Sequence, residues 1–197
     1  MANQHRLDAL RTTLADHYLT EARPDAARTA ASFLAGTLAA EPRPPCALDA
    51  LIRGTSASST LPAARAVLAA QELIPWGTNP VADRTGSIAD IIAVATLISP
   101  EGPILSADYR LGLFYQRPGS YYPLHNHDAD ETYVILAGCA DWTAGEDRRP
   151  RAAGDMIHHP SRMPHAFRTD PEGLLALWRW SGDINTHSYA ILPDPDA

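Results

Sequence analysis

Two hydrophobic rhythms divide the chain. Over residues 1 to about 75 the apolar positions recur at spacings of three and four. Leu7, Leu10, Leu14 and Tyr18 come first and predict one buried face of a helix. Pro24 and Asp25 open an alanine-rich second segment through Phe33, Leu34 and Leu38, stopped by the prolines at 42, 44 and 45. A third helical pattern covers Leu48 to Arg53. A fourth starts near Ser59-Thr60-Leu61-Pro62, with Pro62 suited to a first turn where no N–H is needed, and carries Val67, Leu68 and Leu73. The expected role of these helices is scaffold, packed against whatever follows. Ile74 to Pro80 reads as a turn-rich connector. From about Ile88 the rhythm shortens to β-prone runs: I-I-A-V-A-T-L-I, Y-R-L-G-L-F-Y-Q, T-Y-V-I-L-A, L-L-A-L-W-R-W and S-Y-A-I-L. Between them lie P-E-G-P, R-P-G-S, T-A-G-E-D and T-D-P-E-G, each rich in turn residues. Many short strands with tight turns predict a sandwich or a barrel closed on itself. The expected division is a helical region over 1–80 and a β-barrel over 81–197.

Composition narrows the chemistry. A chain of 197 residues is long enough to bury a substantial core. A formal charge of −7 argues against nucleic acid or an anionic membrane surface as a partner, and no basic face or helix-turn-helix stands out in the helical part. All 16 basic residues are arginines, which excludes Schiff-base chemistry, a lysine general base and a P-loop lysine. Cys46 and Cys139 stand far apart, in no metal or redox spacing, and read as reduced thiols. No run is long enough to span a membrane and M-A-N-Q-H-R-L-D carries no leader-like hydrophobic stretch, so the expected location is cytoplasmic.

The stretch from Gly119 to Gly138 concentrates the ligand-bearing residues. His125 and His127, two apart, project to one face of a strand, and Glu131, Tyr133 and Ile135 share a face of the next. Antiparallel pairing across Asp128-Ala129-Asp130 would converge two imidazoles and a carboxylate. A turn from Pro160 to Pro164 delivers His165 to a further strand, H-A-F-R. Three imidazoles and one carboxylate suit a divalent first-row metal, with Fe, Mn, Co, Ni and Zn all acceptable. Tyr133 should point into the barrel near the metal, with Tyr122 at the same mouth. Trp178 and Trp180 alternate on one late strand. Of His158 and His159, one must face away from the other, and both read as surface or supporting groups rather than ligands. His187, beside Tyr189 and Asn185, is placed near the cavity without a role. His5 and His17 read as exposed helix histidines, and Arg110, Arg117 and Arg179 as solvated barrel surface.

These residues resemble the two sequence motifs of the cupin superfamily. Gly119, His125, His127, Glu131 and Gly138 match the first, and Gly154, Pro160 and His165 match the second. The chain departs from the second at Arg162, where glycine is usual, and at Thr169, where asparagine is usual, which leaves the ligands intact and the turn shape open. The resemblance implies a mainly β fold, a single jelly-roll barrel with an N-terminal α-helical extension. The run H-x-H-x-x-x-E-x-Y, the tyrosine ahead of it and the helical extension further resemble the cupin-type dimethylsulfoniopropionate (DMSP) lyases, the DddQ class in particular. That resemblance implies β-elimination of DMSP to dimethyl sulfide and acrylate. It implies His125, His127, Glu131 and His165 as metal ligands, Tyr133 as general base and Tyr122 as an assisting or positioning hydroxyl. Trp178, Trp180 and the tyrosines would surround the sulfonium by cation–π attraction. A dioxygenase or other metal-dependent cupin enzyme, and a metabolite-binding cupin without turnover, remain as alternatives. The partner is expected to be a small molecule, and the chain a monomer or homodimer.

Overall fold

A computed structural model describes residues 1–77, 79, 81 and 86–194. Four helices come first: α1 (Ala2–Leu19), α2 (Ala26–Ala35), α3 (Asp49–Ser58) and α4 (Pro62–Ala70). Nine strands follow: β1 (Ile92–Ser99), β2 (Ile104–Leu105), β3 (Arg110–Gln116), β4 (Tyr121–Asn126), β5 (Asp130–Ala144), β6 (Asp147–Ala152), β7 (Met156–His159), β8 (His165–Ser181) and β9 (Ala190–Ile191). Among the described residues no helix is long and apolar enough to cross a membrane.

The strands form one continuous sheet in the order β2-β1-β3-β8-β4-β9, with β5 bonded to β6, β7 and β8. β8 is its spine: one edge pairs with β3 and then β4, the other with β5 along its length. Side chains of period two sort the strands into two cores. Ala93, Ala95, Leu97, Leu111, Leu113, Val134, Leu136, Leu175 and Leu177 join the helices' Leu7, Leu10, Leu14, Phe33, Ile52 and Val67 in one cluster. Their neighbours Val94, Phe114, Tyr133, Ile135, Ala176, Trp178 and Trp180 fill the barrel interior with Tyr122, Trp142 and Phe167. A strand buried on both faces needs no polar alternation, which is why I-I-A-V-A-T-L-I is almost continuously apolar.

Five sequence expectations change. The second helix ends at Ala35 instead of continuing through Leu38, because Gly36 turns extended and packs so close to Ile104 that a Cβ there would sit 2.5 Å from Ile104 Cδ1. T-D-P-E-G, read as a turn, lies within β8: the ladder to β5 jumps from Thr169 to Leu174 opposite Ala140 and Gly138, so the segment is a bulge that bends two long strands together. Gly138 (φ 77°) and Gly173 (φ 73°) meet at this bend, and a Cβ on Gly138 would overlap the Gly173 carbonyl oxygen. The polar strand β6, D-R-R-P-R-A, has no hydrophobic rhythm to reveal it; it forms as the return arm of a hairpin from β5, with Pro150 tolerated because no further strand follows on that edge. β4 does not pair with β5 across Asp128-Ala129-Asp130 but with β8 and β9.

The fifth change is Arg179, expected on solvated surface but fully buried on the helix side of β8. Its Nη1 and Nη2 donate to Glu21 Oε2 and Oε1 at 2.6 and 2.8 Å, and Nη1 also to Thr29 Oγ1 at 3.1 Å. The guanidinium lies 4.9 Å from the Tyr18 ring centroid. Arg110 is half-buried and paired with Glu101, whereas Arg117 is exposed. His5 is exposed, His17 half-buried and His187 exposed.

Candidate metal centre

Three donors, two of them four residues apart and the third from a later strand, meet inside the barrel. Nε2 of His127 and Nε2 of His165 lie 3.2 and 3.1 Å from Glu131 Oε2, and all three side chains are buried. The donor atoms of this group lie within 4.8 Å of one another. Each imidazole is oriented by its own backbone: His127 Nδ1 is 3.1 Å from the Ala129 carbonyl and His165 Nδ1 is 2.9 Å from that of Met163. A carbonyl oxygen only accepts, so Nδ1 of each ring carries a proton and, in the neutral ring, Nε2 presents a lone pair. Two nitrogen lone pairs and a carboxylate oxygen then face one another in a dry interior, an arrangement that repels unless a cation lies among them. His165 Nε2 is buried with no hydrogen-bond partner, its approach to Glu131 being close but off-axis. This donor set fits a divalent first-row metal.

The position of each donor follows from the sheet. His125 and His165 are cross-strand partners between β4 and β8, with ring centroids 4.0 Å apart. His125 lines the same cavity and holds the Pro123 carbonyl at 2.8 Å through Nδ1, but it lies outside the close donor group, 6.4 Å from the His127 ring. Glu131 lies opposite His159 on one side and Trp180 on the other. Trp180 Nε1 donates to Glu131 Oε1 at 2.7 Å, so this tryptophan fixes a ligand as well as lining the cavity. Burial opposes ionisation of the Glu131 carboxyl, but any proton carried on the imidazoles gathered round it, His127 first, favours the carboxylate and holds the group well below the usual carboxylate range. Burial, then the nearby His165, pushes His125 well below the usual histidine range.

The two departures from the motif keep its geometry. Arg162 adopts φ 65°, the left-handed conformation a glycine would take, and donates its backbone N–H to the His127 carbonyl at 2.9 Å. Thr169 Oγ1 donates to the Arg117 carbonyl at 2.6 Å and accepts from Ser120 N–H at 3.0 Å, tying down the turn that begins β4.

A small cavity opens beside the donors, lined by His125, Tyr122, Tyr133, Trp178, Trp180 and Tyr189, among others. Tyr133 packs edge-on to Phe114, Trp142 and Phe167, with ring centroids 5.9, 5.1 and 5.7 Å away. Burial first, then the Glu131 charge, pushes the Tyr133 hydroxyl well above its usual range. Tyr122 stacks on Phe167 at 5.2 Å; its hydroxyl lies 2.9 Å from that of Tyr189 and receives Asn79 Nδ2 at 3.1 Å. Trp178 Nε1 is buried and has no hydrogen-bond partner.

Sequence reasoning passed over Tyr189 and read His159, together with His158, as a surface or supporting group without separating the two. Tyr189 is carried into the mouth by the irregular segment before β9, where no periodicity marks an inward side chain. His159 was separable from His158 by parity: it faces the barrel interior, while His158 contacts Asp130 and Arg23 on the other face.

A nine-stranded barrel enclosing two histidines and a glutamate, with helices outside, is a cupin fold carrying a metal-type donor set. The model of the dimethylsulfoniopropionate lyase family matches residues 15–176. The chain belongs to that family. It is 36% identical over 131 residues to dimethylsulfoniopropionate lyase DddQ of Ruegeria pomeroyi, a match covering 66% of this chain and 65% of that protein, so it spans just under two thirds of the relative's length. The crystal structure of DMSP lyase DddQ from Ruegeria pomeroyi DSS-3 superposes with a TM-score of 0.65 at 28% identity, over 96% of this chain and 98% of the other. A structure from the work on DMSP lyases RdDddP and RnDddQII gives 0.70 at 22% identity over 97% and 100%, which shows the shared fold.

Proposed function

We propose that this protein is a carbon–sulfur lyase that cleaves DMSP by β-elimination. The observation that carries the reading is the placement of Tyr133 in an aromatic cavity beside the Glu131 carboxylate and its histidines, within a chain of the DMSP lyase family. His127, Glu131 and His165 would hold a divalent metal ion (Fe, Mn, Co, Ni or Zn), with His125 the outermost donor of the four-residue set. When bound, the ion supplies a Lewis acid for the substrate carboxylate and a positive field that lowers the pKa of a neighbouring tyrosine.

Tyr133, as the tyrosinate, takes the proton alpha to the carboxylate. The carbon electron pair forms the double bond of acrylate as the C–S bond breaks, and its electrons leave on sulfur. Dimethyl sulfide departs neutral from a cationic centre, so no general acid is needed. Working near neutrality with a reference tyrosine pKa near 10 requires about 4 kcal/mol of stabilisation of the anion. In the metal-free cavity the shift runs the other way, which makes the base competent only in the loaded site. Tyr122, held by Asn79 and Tyr189, positions the substrate, and the faces of Trp178 and Trp180 receive the sulfonium. A small carboxylate is the only partner the reading needs, in a cytoplasmic monomer or homodimer.

The test is headspace dimethyl sulfide and chromatographic acrylate from metal-loaded and chelated protein, with and without oxygen, alongside Tyr133→Phe. Oxygen-independent release that needs metal and collapses in Tyr133→Phe is expected. Product that appears only with oxygen would replace the lyase by a dioxygenase, and no product from any metal form would refute the assignment.

A further inference from the structure

We propose that His159 and Trp142 form a hydrogen-bond relay that positions the Glu131 carboxylate for metal binding, with His159 acting through Glu131 and not as a ligand itself. The inference deepens the metal reading above and rests on it. His159 is almost wholly buried, and its ring stacks on that of His165 with centroids 4.0 Å apart and planes at 14°. Trp142 Nε1 lies 3.0 Å from His159 Nε2. Indole N–H only donates, so Nε2 of His159 is the acceptor and the ring proton of the neutral imidazole must sit on Nδ1. That Nδ1 is 3.3 Å from Glu131 Oε2, the same oxygen that faces the lone pairs of His127 and His165.

The chemistry of His159 is therefore opposite to that of its two neighbours. Their Nδ1 protons are tied to carbonyls and their free Nε2 atoms face the carboxylate. His159 has its Nε2 occupied by an indole and turns a proton toward the carboxylate. Together with Trp180 on Oε1, it gives both oxygens of Glu131 an N–H donor. Trp142 is itself held by stacking on Phe167, with centroids 4.1 Å apart and planes at 13°. The chain Phe167–Trp142–His159–Glu131 thus fixes one tautomer and, through it, one carboxylate orientation. Groups that orient a ligand in this way typically change metal affinity about 10–100-fold when removed.

Two measurements test this. Nitrogen-15 imidazole spectra of the metal-free protein should show His159 as the Nδ1–H tautomer, and Trp142→Phe should keep that tautomer against Glu131 while the Nε2 resonance shifts on loss of the indole donor. Competition with a chromogenic chelator for Zn²⁺ should then give a dissociation constant raised roughly 10–100-fold in His159→Phe. His159→Asn, whose side-chain N–H reproduces the Nδ1 donor, should recover most of that loss. Zn²⁺ binding unchanged in His159→Phe, or an Nε2–H tautomer in the wild type, overturns the relay while the metal reading stands. Loss in His159→Asn equal to that in His159→Phe makes His159 a ligand and overturns it too. A wild type that binds no divalent ion removes both. Should His159→Phe fail to fold, the tautomer in the wild type and the Nε2 shift in Trp142→Phe still decide.

Discussion

Removing Arg179 should unfasten the helices from the barrel without touching the metal donors. The guanidinium and the Glu21 carboxylate are paired through two hydrogen bonds of 2.6 and 2.8 Å, with side-chain exposures of 1% and 2%. Arg179→Met leaves the Glu21 charge in the interior without its two short hydrogen bonds, with the Thr132 hydroxyl at 3.1 Å and the half-buried Arg23 guanidinium at 3.7 Å as what remains. Breaking a buried pair on one side costs about 3–5 kcal/mol. For a chain of this size about 2–4 °C of melting temperature accompanies each kcal/mol, which gives a fall of roughly 6–20 °C. Glu21→Met should cost a similar amount, since it strands the guanidinium. The double variant should recover much of the loss, because a buried ion pair exchanged for apolar side chains is often close to neutral. Denaturant unfolding of the metal-free proteins completes the double-mutant cycle. Zn²⁺ affinity should stay unchanged across it, since Arg179 points away from the face that carries Trp178 and Trp180. Single variants within about 1 kcal/mol of wild type, or losses that simply add, would refute the reasoning, because neither is possible for a charge stranded in this interior.

Three further outcomes follow from the geometry. Gly138→Ala forces a methyl into the Gly173 carbonyl at a left-handed φ, so loss of soluble folded protein is expected, or an unfolding free energy lowered by about 1 kcal/mol or more; near-wild-type unfolding would mean the bend is not where the structure puts it. His159 is pushed down to about 3, chiefly by burial, so its folded pKa lies below its unfolded one. Stability from that group is therefore complete above about pH 6.5 and drains as pH falls toward 3, where the unfolded chain takes up the proton first. Metal-free protein should lose stability on acidification over this window, with a shallower slope in His159→Asn as measured by urea unfolding. Finally, His125→Ala should weaken Zn²⁺ binding less than His127→Ala, because the His127 nitrogen belongs to the close donor group and that of His125 does not; chelator competition with the reverse order would move His125 to the centre of the site.

The fold and the donors were legible where a residue's role depends on its local spacing. Leu7, Leu10, Leu14 and Tyr18 are all buried as their helical period predicts, and Trp178 and Trp180 share the cavity as strand parity predicts. What spacing could not show is which strands adjoin. His125 reaches the centre from β4 and His127 from just past its end, but the strand beside β4 is β8, not β5, a pairing that the intervening turn does not reveal. Arg179 was misplaced for the same reason. An arginine between two tryptophans signals only that it faces the other way, and whether that way leads to water or to α1 and α2 is decided by tertiary packing. β6 escaped because pairing, not apolar content, makes it a strand.

The division of each strand between two cores has a consequence for how the gene can vary. Along Trp178, Arg179 and Trp180, cavity wall, interlayer ion pair and ligand-holding indole occupy consecutive positions. A one-residue insertion or deletion between Leu174 and Ser181 would slide every downstream side chain to the opposite face, sending a charge into the cavity and an indole against the helices. Length polymorphism in this segment should thus be confined to the loops after Ser181, where the ladder has ended, while substitutions that preserve parity are tolerated position by position. The cavity and the scaffold are inscribed on one strand in alternate letters, and neither text can be shifted without corrupting the other.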